Sequence, residues 1–243
     1  MLSGKFRSIG SFTAIVLVCL GLVGCAAKRL VSQGDEALEL GNYYTAALRY
    51  IEALHIKPTH SKALSRLMMV AKQAYEQKLM IAEGYKAQGN LEVALREYKE
   101  LRNFLLELKH LNALNFVPID IDEEIAHLKT GAAEAHYRAA ERLLEQRLHR
   151  KAIKEYKKAL KFVDPYKDSR RKISECYYRI ADGLVQEGSF REAVENYLNA
   201  ETVTPGYKDA RRKAAEVLYQ LGLYSCPGDT AGTPTRSSRR SEG

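Results

Sequence analysis

The sequence predicts an all-α protein assembled from a repeated helical unit, and three observations carry that prediction. Gly and Pro are scarce, at 16 and 6 in 243 residues, so few positions interrupt a helix. A pattern of Ala, Tyr four residues later and Ala or Leu three after that occurs four times, as Ala46/Tyr50/Ala53, Ala94/Tyr98/Leu101, Ala152/Tyr156/Ala159 and Ala193/Tyr197/Ala200. Offsets of four and three place the members of each set on one helix face. Finally, Tyr166-Lys167-Asp168 with Arg170-Arg171-Lys172 recurs 41 residues on as Tyr207-Lys208-Asp209 with Arg211-Arg212-Lys213.

Composition excludes several classes. At 46% hydrophobic, 28% charged and net charge +8, the chain has the make-up of an ordinary globular protein of one large or two small domains. Four Cys are too few for a disulfide scaffold. No apolar run of membrane-spanning length lies beyond the first 25 residues, which excludes a polytopic membrane protein.

The first element is a leader. Lys5 and Arg7 precede an apolar run from Ile9 to Val23, which closes in Leu22-Val23-Gly24-Cys25. A short basic start, an apolar middle and a small residue before the cut are the parts of a secretory signal. The last four residues resemble the bacterial lipobox, which implies that Cys25 is acylated and residues 1–24 are removed. Lipid chains on Cys25 would then hold residues 25–243 at a bilayer. Ala26, in place of Asp, implies sorting to the outer membrane with the protein facing the periplasm, if the host is Gram-negative. Cys19 leaves with the signal; Cys176 and Cys226 remain, and spacing does not decide whether they pair.

The body, residues 25–223, carries the repeat. The four segments resemble the tetratricopeptide repeat (TPR), a helix-turn-helix unit with a small residue at position 20, an aromatic at 24 and a small or apolar residue at 27. Position 8, where helix A of each hairpin touches helix B, reads Gly34, Ala82, Ala140 and Ala181. Small residues let two helices approach, and the aromatic fills the gap to the next unit. The resemblance implies a right-handed α-solenoid of about four TPR-like hairpins plus a capping helix that opens at Tyr207 and runs to about Leu223.

Spacing departs from the 34-residue family repeat, since the position-20 residues lie 48, 58 and 41 apart. Excesses of 14 and 7 are near whole numbers of helical turns, so they lengthen a helix without rotating its apolar face. Residues 61–87 therefore read as one long helix. The stretch from Asn115 to Asp120 reads as a turn between repeats, with Asp122, Glu123 and Glu124 suited to the next helix's first turn. From residue 224 to 243 the composition is that of a disordered tail.

No catalytic or metal-binding pattern is present. The six His show no pair at ligand spacing, and there is no Cys-x-x-Cys, phosphate loop or nucleophile elbow, so neither an enzyme nor a cofactor is expected. The Arg-Arg-Lys runs read as a solvated face or a contact with anionic lipid, and no nucleic-acid partner is expected for an exported chain.

The TPR frame instead marks a binding face on helix A. Position 9 is acidic in all four repeats (Asp35, Glu83, Glu141, Asp182), and position 2 adds Glu76, Glu134 and Glu175, with Lys28 the exception. Position 5 places Val31, Leu79, Tyr137 and Tyr178 between those rows. The rows imply a groove for an extended basic peptide segment. The expected function is a lipid-anchored scaffold that binds other proteins in assembly or secretion of envelope machinery. The alternative is an adaptor or regulator of peptidoglycan hydrolases.

Overall fold

The computed structural model describes residues 25–222. The leader 1–24 and the tail 224–243 lie outside those residues, as do Leu223 and Cys226. Nine helices and no strand occur among the described residues: α1 (25–39), α2 (Tyr43–Ile56), α3 (Ser61–Ala87), α4 (Leu91–His110), α5 (Ile121–Glu145), α6 (His149–Phe162), α7 (Ser169–Gln186), α8 (Phe190–Val203) and α9 (Ala210–Gln220). The fold is all-α and TPR-like: α1/α2, α3/α4, α5/α6 and α7/α8 are the four expected hairpins, with α9 as the ninth helix. Two compact units divide at Lys129 and Thr130.

Burial follows the repeat frame. Ala46, Ala94, Ala152 and Ala193 are wholly buried, as are Tyr50, Tyr98, Tyr156, Ala53, Leu101, Ala159 and Ala200, and Tyr197 nearly so. Close helix approach explains this: each small residue admits the backbone of the facing helix, and each Tyr ring fills the space so created. Gly34 shows how tight the fit is. A Cβ built on it would lie 2.5 Å from Cε1 of Tyr50, whereas the other three hairpins accept Ala at the same place.

Helix lengths account for most of the irregular spacing. The second helix of hairpins one, three and four has 14 residues each. The 14-residue excess lies in α3, which runs unbroken for 27 residues over the span read as one helix. The 58-residue interval is divided among a 20-residue α4, the connection 111–120 and a 25-residue α5 with Asp122, Glu123 and Glu124 in its first turn. That connection is held down: Asn115 donates to the Met68 carbonyl at 2.9 Å, Ile119 N–H to the Tyr75 hydroxyl at 3.1 Å, and the Phe116 ring lies 5.0 Å from Tyr75. In the 41-residue interval the excess is not wholly helical, because α7 has 18 residues and the linker 163–168 carries part of it. The ninth helix stops at Gln220, three residues before the expected end, where Gly222 takes φ +67.

Turns within hairpins are left-handed. Gly41, Gly89 and Gly188 occupy them at φ 72, 74 and 76, whereas Arg147 stands at the matching place of hairpin three at φ 59. That region is comfortable for Gly and strained for a residue with a Cβ.

Candidate functional site

The acidic rows are where the frame places them, on helix A of each hairpin, but the structure shows what their charge does. In all four hairpins the position-9 carboxylate accepts a hydrogen bond from the Tyr hydroxyl 15 residues later: Tyr50 to Asp35 at 2.8 Å, Tyr98 to Glu83, Tyr156 to Glu141, and Tyr197 to Asp182 at 2.6 Å. The Tyr hydroxyl at the tip of a buried ring needs an acceptor, and the acid one helix over supplies it. Burial and the carboxylate together raise these Tyr hydroxyls well above their usual range.

Cations from the following helix complete three of these contacts. Lys62 lies 2.9 Å and Arg66 3.3 Å from Asp35, Lys172 3.1 Å from Glu141 and Lys213 2.6 Å from Asp182. Among the described residues, the cation beside Glu83 is Lys86 of its own helix, at 3.6 Å.

The second unit adds a clasp that occurs twice. Glu134 accepts from the Tyr166 hydroxyl and from Lys167 Nζ at 2.5 Å, while Tyr137 donates to Asp168 at 2.6 Å. Forty-one residues on, Glu175 accepts from Tyr207 and from Lys208 at 2.7 Å, and Tyr178 donates to Asp209. Each Lys also sits over the ring of the position-5 Tyr, Lys167 at 4.7 Å from Tyr137 and Lys208 at 4.9 Å from Tyr178. Cation and ring face attract, and the stacked geometry fixes the Lys against its carboxylate. Lys167, Tyr166 and Arg138 hold Glu134 down to about 2. Burial alone would raise Glu175, but bonds from Lys208 and Tyr207 and the nearby charges outweigh it, again to about 2.

Asp35, Glu134, Tyr137, Glu141, Glu175, Tyr178 and Asp182 are therefore engaged within the chain, and Glu83 is held by the Tyr98 hydroxyl and a longer contact with Lys86. Tyr178 is buried and Tyr137 half-buried, each in edge contact with two other Tyr rings. In the first unit the face is more open. Glu76 is 58% exposed, with Lys72 at 3.7 Å its nearest cation, and Glu83 is 46% exposed. Leu79 is half-buried between them, and Val31 is buried.

Two groups of residues were not anticipated. Lys78, 5% exposed, bonds Glu97 and Glu100 at 2.6 Å each and lies 4.9 Å over the Tyr44 ring. Its sequence signal is a cation on the stripe Ala71, Ala74, Tyr75, Lys78, Ala82. The other group is a set of cations around α7, in which Arg171 and Lys172 of the first Arg-Arg-Lys run, read from sequence as a solvated face or lipid contact, meet Arg147, Arg179 and Lys208. Cys25 is exposed, at the first described residue of α1, and Cys176 is buried, its thiol raised to about 12 by desolvation. No group of three or more His, Cys, Asp or Glu side chains is arranged to hold a metal ion, and no helix is long and apolar enough to cross a membrane, among the described residues.

This defines a class: an all-α repeat protein of TPR-like hairpins. No family model matches the chain, and no curated protein matches it. Solved structures similar to it include the protein MamA at 18% identity, covering 78% of this chain and 85% of that one, with a TM-score of 0.25. The TPR2AB domain of yeast Sti1 in complex with pHSP90 is similar at 15% identity, covering 82% and 85%, with a TM-score of 0.24. A thermophilic TPR protein in Thermus thermophilus matches at 20% identity over 80% of this chain and all of that one, with a TM-score of 0.22. The fold is defined by the four hairpins and their buried repeat positions.

Proposed function

We propose that the chain is a lipid-anchored scaffold on the periplasmic face of a bacterial envelope membrane, where it binds an extended segment of another protein during assembly or secretion of envelope machinery. Support for the anchor is Leu22-Val23-Gly24-Cys25 following a basic start and an apolar run. Support for binding is the helix-A face of the first unit, where Glu76 and Glu83 keep exposed carboxylates on either side of Leu79. That observation carries the reading, because a negative, partly apolar strip attracts a Lys/Arg-rich extended segment and gives it surface to cover. The outer membrane is the site if the host is Gram-negative.

The anchor is tested by Cys25→Ser. The variant should lose its lipid and accumulate as uncleaved precursor or released protein; normal processing and full membrane retention would overturn this half of the proposal. The face is tested with a labelled Lys/Arg-rich peptide and the full chain. Glu76→Lys with Glu83→Lys should weaken binding about tenfold or more, with unchanged helicity. Full binding by that variant would remove the first unit's face from the reading. A pull-down from detergent-solubilised membranes that returned peptidoglycan hydrolases would place the chain among their adaptors instead.

A further inference from the structure

A concave site of about 960 Å3 lies within the second unit, walled by the turn between α5 and α6, by α7 and by the linker before α9. Five cations line it: Arg147, Arg171, Lys172, Arg179 and Lys208. Three carboxylates face them, those of Glu145, Glu175 and Asp182. Glu175 is already taken by Lys208, Arg179 and Tyr207, and Asp182 by Lys213 and Tyr197. Lys172 is committed to Glu141. Arg147 and Arg171 make no ion pair among the described residues, so two guanidinium groups face the same hollow with their donors open.

Two further observations point to a ligand. His149 also lines the hollow, and its Nδ1 is buried with no hydrogen-bond partner. Burial and the neighbouring Arg179 and Arg147 charges lower the pKa of this imidazole and so favour its neutral form. Arg147, moreover, occupies the left-handed turn position that the other three hairpins give to glycine. A Cβ there costs strain, and backbone strain of this kind clusters at binding sites; Lys208, on the same hollow, is also left-handed at φ 49.

We propose that this hollow binds an acidic segment of a partner protein, with Arg147 and Arg171 taking its carboxylates through paired N–H donors. Guanidinium forks match carboxylate geometry, and the volume is at the upper end of the range for a binding pocket, larger than a lone anion needs. Leu144 and the Tyr207 ring add apolar wall. The proposal rests on the reading of the chain as a protein-binding scaffold and names the partner chemistry at its second unit.

The test uses the full chain and a labelled Gly-Glu-Glu-Gly-Glu-Glu peptide, with the Gln analogue as control. The Glu peptide should bind, weaken as salt rises and outbind the Gln analogue by about tenfold or more. Arg147→Gly is the informative variant, because it restores the residue used by the other turns. It should leave the thermal midpoint unchanged or raised while weakening the Glu peptide about tenfold, and Arg171→Gln should weaken it further. Equal binding of the Gln analogue, or full binding by the double variant, overturns the proposal. So does displacement of the Glu peptide by millimolar inorganic phosphate, which would mark a site for any small anion, or binding of phosphatidylglycerol vesicles in its place, which would mark a lipid contact. If the Lys/Arg-rich peptide binds the first unit and the Glu peptide binds nowhere, only this proposal fails; if neither binds, the scaffold reading fails with it.

Discussion

The two units solve one problem with different charge chemistry. Each must fasten one helix to the next beyond what small residues and Tyr rings supply. The first unit places a cation inside: Lys78 of α3 is buried against α4, where nearly buried Glu97 and half-exposed Glu100 hold it. The second places its charges at the rim, where Glu134 and Glu175 each gather a Tyr, a Lys and an Arg. Rim pairs sit in high dielectric and are individually weak, whereas a buried cation is strongly coupled to its partners. The first unit should therefore fail at one residue, and the second should yield gradually.

The largest expected effect follows from that difference. Lys78→Met leaves Glu97 nearly buried with only Arg96 beside it, and should destabilise the chain by about 3–5 kcal/mol in urea unfolding. Adding Glu97→Leu removes the stranded charge and should recover most of the loss. If the single variant unfolds like wild type, the buried pair is not what joins α3 to α4.

A smaller effect separates hairpin one from its three relatives. Gly34→Ala gains helix propensity of about 1 kcal/mol. Against that, the new methyl meets the wholly buried Tyr50 ring at 2.5 Å, which can yield only by disturbing its bond to Asp35. Overpacking of this kind outweighs the gain, so a net loss of about 1–2 kcal/mol is expected, read as a lower thermal midpoint. A raised midpoint would mean that the ring has room to move.

Much of this was legible in the sequence. The four Ala/Tyr sets fixed which residues pack, because close helix approach tolerates few alternatives and so leaves a periodic trace. The unbroken span 61–87 was legible because nothing in it stops a helix. Residues expected to face a partner were harder to read. Frame positions place Glu134, Tyr137, Glu175 and Tyr178 on helix A, but they do not reveal that Tyr166-Lys167-Asp168 and Tyr207-Lys208-Asp209 reach back to them. The signal lay in the shared 41-residue spacing of Glu-x-x-Tyr and Tyr-Lys-Asp, since two motifs that repeat together are candidates for mutual contact. Lys78 and the hollow beside α7 depend on side chains from several elements meeting in space, which no single periodicity encodes.

The rim clasp gives the smallest effect and one that depends on pH. Glu175 is ionised in the folded chain down to about 2, whereas an unfolded Glu titrates near 4.3. A carboxyl depressed in the folded state contributes stability that is present above its unfolded value and is lost as pH falls through the folded one. The clasp should therefore weaken between roughly pH 4.5 and 2, as protonation removes the acceptor that Lys208 and Tyr207 share. Glu175→Gln should lower stability by about 1–2 kcal/mol at neutral pH, with partial exposure reducing the full linkage value. The variant's stability should change less than wild type's across the acid window, so that the two curves converge near pH 2. A constant gap between the curves would assign the loss to packing rather than to the ionised clasp, and would make the two units alike in how charge holds them.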